Sequence, residues 1–171
     1  VQNQMQIIVD GEKGIALLSP DEKTLAEYRT KQAEQYKERE LLQIYKNRAT
    51  QTADGRHVDV YANIGNVEDA KSAVESGAEG IGLFRTEFLF MDRTSLPTEE
   101  EQYHAYHEVS QIMAGKEVII RTLDIGGDKG IAYLQIEKEE NPFLGHRAIR
   151  YCLDHPDLYK VQLRALLRAG A

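Results

Sequence analysis

Two short apolar runs open the chain. Gln6-Ile7-Ile8-Val9 and Gly14-Ile15-Ala16-Leu17-Leu18 read as β runs, with Asp10-Gly11 and Gly14 marking the turn between them. Eighteen residues enclose no core of their own, so 1–18 reads as the tail of a domain. Ser19 then suits a helix cap, Pro20 the first helical position, and Glu22 closes a capping box three residues after the cap. From Asp21 to about Ala49 there is neither glycine nor proline, and apolar positions thin to a few, among them Leu25, Tyr28, Tyr36, Leu41, Leu42 and Tyr45. A helix this polar all round reads as a connector over residues 19–50. Turn chemistry at Gln51-Thr52-Ala53-Asp54-Gly55 ends it.

After Gly55 the pattern alternates between strand and helix. His57 to Ile64 predicts a strand with Val58, Val60, Ala62 and Ile64 on one face. Asn66 caps a helix through Ser76, and Gly77 sits where a terminating glycine belongs. Gly80 to Phe84 is a second strand. Thr98-Glu99-Glu100-Glu101 is a capping box for a helix to about Ala114, followed by Gly115. Val118 to Leu123 is a third strand. Asn141-Pro142 leads into helical patterning with Ala148, Ile149, Cys152 and Leu153 on one face, and Pro156 restarts a helix to about Ala169. The order β-α-β-α-β-α-α predicts an α/β fold with a parallel sheet and right-handed crossovers. Two architectures compete, an open doubly wound sheet and part of a (β/α)8 barrel. No G-x-G-x-x-G follows a strand, so a dinucleotide fingerprint is absent. A whole barrel takes roughly 250 residues, and the stretch from Gly55 supplies less than half of one.

Composition narrows the classes. A chain of 171 residues with 42% hydrophobic content supports one or two small units with a real core. It does not begin with Met and stops at Ala171, and is expected to start and end inside larger domains. Its longest apolar run is too short to span a bilayer, and no signal-peptide pattern opens it. A formal net charge of -7 argues against a nucleic-acid partner. The single cysteine, Cys152, excludes an internal disulfide and fits a reducing cytoplasm.

The candidate chemistry lies at strand ends. Arg85 ends the second strand in Gly82-Leu83-Phe84-Arg85-Thr86-Glu87-Phe88, and Arg121 holds the equivalent place in Ile119-Ile120-Arg121-Thr122-Leu123-Asp124. In adjacent parallel strands their carboxyl ends would be about 5 Å apart, at the edge where α/β folds bind ligands. A multiply charged anion relieves the repulsion between two guanidinium groups, each offering a planar fork to phosphate or carboxylate. The competing reading pairs each arginine with a nearby acid such as Glu87 or Asp124. Gly126-Gly127-Asp128-Lys129 reads either as a backbone approach to an oxyanion or as a plain turn. Arg147, in Asn141-Pro142-Phe143-Leu144-Gly145-His146-Arg147, either points to the same mouth or stays on the first helical turn. His104 and His107 lack the acidic partner of H-E-x-x-H and read as surface residues; Cys152 reads as core.

These segments resemble enzyme I of the bacterial phosphoenolpyruvate:sugar phosphotransferase system. Gly82 to Arg93, Leu96 to Glu101, Ile120 to Lys129 and Glu139 to Arg150 look like its successive barrel motifs. The resemblance implies the tail of a phosphohistidine domain over 1–18, a linker helix over 19–50, and the first part of a (β/α)8 TIM-type phosphoenolpyruvate-binding barrel over 55–171. It implies transfer of phosphate from phosphoenolpyruvate to a histidine of the enzyme and then to HPr for sugar uptake, with magnesium, in a cytoplasmic homodimer. Arg85 and Arg121 match two arginines that grip the substrate phosphate, and Arg147 a further arginine near the site. The phosphorylated histidine has a Thr-Ser-His context that none of the five histidines here has, and HPr is expected to bind through that upstream region. The acidic magnesium ligands and the catalytic cysteine are expected beyond residue 171, so no catalytic or metal residue is assigned here and no turnover is expected from this chain alone. His146 occupies a position that is often aromatic in relatives. A dikinase or phosphoenolpyruvate synthase relative, and a non-catalytic phosphoenolpyruvate-sensing module, are the alternatives.

Overall fold

In the computed structural model, which describes residues 3, 5–46, 48–91, 93–126, 131–134, 136 and 139–171, the chain divides into two compact units, 1–48 and 49–171. The first holds a hairpin and a helix. Strands β1 (Ile7–Asp10) and β2 (Ile15–Leu18) pair antiparallel, from Ile7 opposite Leu18 to Asp10 opposite Ile15. Asp10 organises the turn: its carboxylate accepts from the backbone N–H groups of Glu12 and Lys13 at 3.1 and 3.0 Å, and from Lys31 Nζ of the helix at 3.1 Å. Those bonds, the Lys13 N–H foremost, hold its carboxyl below the usual aspartate value.

Helix α1 (Glu22–Tyr45) is capped by Asp21, whose side chain accepts from Thr24 N at 2.7 Å. The expected cap, Ser19, has its own N–H committed to Gln6 O at 3.0 Å, which extends the hairpin and keeps Ser19 outside the helix. None of the 24 residues of α1 is buried, consistent with its polar pattern.

The second unit is built on a parallel sheet, β3 (Tyr61–Ile64), β4 (Gly80–Arg85) and β5 (Val118–Arg121), in that spatial order. Helix α2 (Val67–Glu75) connects the first two strands, with Asn66 as its cap and Gly77 at φ +84 after its end. Helix α3 (Glu99–Met113) connects the next two. Its capping box forms as the sequence predicts: Thr98 accepts from Glu101 N, and Glu101 accepts from Thr98 N. That N–H, with Arg93 beside it, holds the Glu101 carboxyl down to about 2. Strand β3 is half the length expected. Residues 57–60 hydrogen-bond elsewhere, Val58 N to Thr50 O and Val60 N to the Glu79 carboxylate, and Val58 and Val60 are exposed.

The Asn141-Pro142 stretch forms turns, and helix α4 starts only at Ile149 (Ile149–Asp154). It buries Tyr151 and Cys152, while Ile149 and Leu153 are 48% and 65% exposed. The expected apolar face is therefore rotated, with the Tyr151 hydroxyl reaching Leu134 O at 3.3 Å. Burial pushes the Cys152 thiol up to about 11. Pro156 opens α5 (Pro156–Ala169), which packs on α3. Ile64, Ile81, Phe84, Tyr106, Val109, Met113 and Ala165 form one core between sheet and helices. Phe90, Leu123, Ile125, Ile131, Leu134 and Cys152 form a second, under the carboxyl ends of β4 and β5. Ile119, Phe143, Leu144 and Leu167 keep apolar surface in solvent. No described helix is long and apolar enough to cross a membrane.

Candidate functional site

Arg85 and Arg121 are direct register partners at the last positions of β4 and β5. Adjacent parallel strands lie about 4.8 Å apart, so the two side chains leave the same end of the sheet side by side. The sequence expectation that they share one rim is met.

Their environments differ. Arg85 has no carboxylate partner among the described residues; its Cζ lies 4.9 Å from the centre of the Phe88 ring. Its Nε is buried without a hydrogen-bond partner, and so is that of Arg121, so the difference lies in their Nη groups. Arg121 is gripped by acids, as the competing reading proposed. Its Nη2 donates to Glu87, whose side chain is 3% exposed, and its Nη1 lies 3.3 Å from Asp124. Arg147 joins the same cluster through two bonds to Asp124, Nε to Oδ1 at 2.7 Å and Nη2 to Oδ2 at 3.2 Å, with the Phe143 ring centre 4.6 Å from its Cζ. Gly126 makes room for it: a Cβ there would meet the Arg147 stem at 3.0–3.2 Å. Among the described residues, Glu87 and Asp124 thus hold Arg121 and Arg147, and neither is paired with Arg85. The Gly127-Asp128-Lys129 part of the glycine motif lies outside the described residues.

A buried polar chain supports this rim. Thr86 Oγ1 donates to Arg121 O at 2.8 Å. Gln162 of α5, fully buried, donates to Thr86 Oγ1 at 3.2 Å and Tyr106 OH at 3.1 Å, and accepts from Leu123 N at 2.9 Å. Tyr106 in turn donates to Gln102 at 3.1 Å, and burial pushes its hydroxyl up to about 12. This chain of buried hydrogen bonds ties α3 and α5 to the segments after β4 and β5 and so fixes one geometry there. The motif reading missed Thr86, Gln102 and Gln162. A signal existed: Gln102 shares a helical face with Tyr106, Val109 and Met113, and Gln162 one with Leu158 and Ala165.

Among the described residues, no donor set fits magnesium at this rim. Glu87 and Asp124 are engaged by guanidinium groups. The one His/Cys/Asp/Glu group among the described residues with metal-like spacing is His57, Asp59 and Glu79, which precede β3 and β4 at the opposite end of the sheet. It includes an imidazole, whereas magnesium takes oxygen donors. His104 is exposed beside Glu100, and His107 stacks on Tyr103.

The family model described as "PEP-utilising enzyme, PEP-binding domain" matches residues 39–171. The chain is 53% identical over 164 residues to the phosphoenolpyruvate-protein phosphotransferase of Staphylococcus carnosus, covering 96% of this chain and 29% of that protein. It is 53% identical over 170 residues to the protein of that name from Geobacillus stearothermophilus, covering 99% and 29%, and 51% identical over 170 residues to that of Priestia megaterium, covering 99% and 30%. The chain spans about three-tenths of the length of the curated relatives it matches.

Proposed function

The chain belongs to the family of PEP-binding domains of PEP-utilising enzymes, and on that premise we propose that it carries part of the phosphoenolpyruvate site of a phosphoenolpyruvate-protein phosphotransferase. The observation that carries this reading is the in-register pair Arg85 and Arg121 at the carboxyl edge of the sheet. Phosphoenolpyruvate brings up to three negative charges. The Arg85 guanidinium, which has no carboxylate partner among the described residues, supplies the complement beside the tightly held Arg121. Phosphoryl transfer depends on positioning and charge neutralisation, and arginines on a rigid sheet edge provide both. Arg147, locked on Asp124, completes the positive wall.

The strand order β3-β4-β5 follows the sequence without reversal, which supports a barrel arc over a doubly wound sheet. We therefore read 55–171 as the first part of a (β/α)8 barrel, 19–50 as a linker helix and 1–18 as the tail of a phosphohistidine domain. On this reading the accepting histidine, the magnesium ligands and the HPr surface belong to sequence other than these 171 residues, and the whole enzyme is a cytoplasmic homodimer serving sugar uptake. The names carried by relatives at 51–53% identity favour the phosphotransferase over a dikinase or synthase.

Isothermal calorimetry tests the site. The chain should bind phosphoenolpyruvate weakly, and Arg85→Ala and Arg121→Ala should each weaken binding by at least about 30-fold. Unchanged affinity in both variants would remove these arginines from the site.

A further inference from the structure

Glu87 presents a problem for an anion site: a buried carboxylate standing beside the residues meant to receive phosphate. By charge alone it should weaken binding. Its place in the chain suggests another role. Arg85 ends β4, and the next four residues turn as a 3-10 helix, Thr86–Leu89. That turn aims two consecutive side chains at one residue of the neighbouring strand. Thr86 holds the backbone of Arg121, with Oγ1 on its carbonyl oxygen at 2.8 Å, and Glu87 holds its guanidinium. Thr86 is itself fixed by the fully buried Gln162. Arg121 is thus clamped at both ends from the turn after β4, while Arg85, its register partner, receives no such grip among the described residues.

We propose that Glu87 is a positioning residue, which sets the Arg121 guanidinium for phosphate before the ligand arrives. The proposal rests on the reading of this rim as a phosphoenolpyruvate site. The clamp works because an arginine side chain has large rotamer freedom, and a pre-set fork loses less of it on binding. It also resolves the repulsion between two adjacent guanidinium groups in the empty site, since Glu87 screens one of them. Asp124 serves as the second wall, shared between Arg121 and Arg147. The two carboxylates do not exhaust the donors of the Arg121 fork. Nη2 meets Glu87 and Nη1 faces Asp124, and a guanidinium carries five donors.

The sign of one substitution separates positioning from simple charge. Glu87→Gln removes a negative charge next to an anion site, so a merely competing carboxylate predicts tighter binding. Positioning predicts the reverse, roughly tenfold weaker binding of phosphoenolpyruvate by calorimetry on the intact chain. Glu87→Asp keeps the charge but is one methylene too short, and should also weaken binding; it decides the matter if Glu87→Gln does not fold. The 15N–1H signal of Arg121 Nε supplies a readout independent of ligand: it should move toward the position of exposed arginines in both variants, with Arg85 unmoved. Equal or tighter binding in the folded variants, or an unmoved Arg121 signal, overturns the proposal while leaving the site intact. Absence of binding by the native chain removes the phosphoenolpyruvate reading itself, and the proposal with it.

Discussion

The two ends of the parallel sheet carry charge in opposite ways. At the amino ends, His57, Asp59, Glu79 and Glu117 meet in solvent, with contacts such as His57 to Asp59 at 3.0 Å and Tyr61 OH to Glu117 at 2.9 Å. Such exposed pairs contribute little and fix no geometry. At the carboxyl ends, Arg121 and Arg147 are bound to Glu87 and Asp124 with most of their area out of water, above a buried chain of Thr86, Gln162, Tyr106 and Gln102. Removing charges from water is costly unless every partner is supplied. The difference teaches that net charge, here -7, says little about where a ligand binds; on our proposal, the end where charge is desolvated and ordered is the one that receives the anion.

The largest expected effect is on the support of the carboxyl end. Gln162→Leu keeps most of the volume but leaves Leu123 N without its acceptor and takes one bond each from the hydroxyls of Thr86 and Tyr106, which keep those to Arg121 O and Gln102. It should cost about 3 kcal/mol in urea denaturation, since unsatisfied buried groups cost about 1–3 kcal/mol each and repacking recovers part. A cost near zero would mean that the buried chain does not hold this end. Next comes Arg85→Ala, which should lower phosphoenolpyruvate affinity about 30-fold, roughly 2 kcal/mol for a lost charge-assisted contact. Its melting temperature should stay the same, because no ion pair is broken. A destabilised Arg85→Ala with unchanged affinity would make Arg85 structural.

Smaller effects mark the periphery. Thr98→Ala should cost about 1 kcal/mol through loss of the α3 cap. The partner of that cap has a pH signature. The Glu101 carboxyl is held at about 2 against an ordinary 4.5, so its contribution is present above pH 4.5 and is lost as pH falls toward 2. The stability difference between the native chain and Glu101→Gln should narrow over that interval in urea titrations; a constant gap would contradict the capping geometry. Smallest of all, Asp59→Asn at the amino end should leave both stability and phosphoenolpyruvate affinity unchanged by the same two measurements.

Much of this was legible because local chemistry repeats. Asn66, Gly77, the Thr98–Glu101 box and Pro156 mark helix ends by capping and backbone restriction, which need no knowledge of the rest of the fold. The alternation of strand and helix predicted the parallel sheet, and the equivalent placing of Arg85 and Arg121 predicted a shared rim. What periodicity missed depends on distant partners. Ser19 lost the cap because its N–H closes the hairpin on Gln6. Val58 and Val60 left the strand because Thr50 and Glu79 claim the backbone there. The face of α4 turned because Tyr151 and Cys152 answer to Leu134 and the second core. At the site, sequence named Glu87 and Asp124 as rivals to a ligand, but only the geometry shows that they hold Arg121 and Arg147 and leave Arg85 without a carboxylate among the described residues.

Backbone amide chemical-shift mapping with phosphoenolpyruvate tests the central claim most directly, because both ends of the sheet are read in one titration. The account predicts that shifts gather at residues 85–88 and 121–126, persist in part with orthophosphate, and are absent at His57, Asp59 and Glu79. Shifts confined to the amino ends, or none at the Arg85–Arg121 rim at saturating ligand, would contradict it.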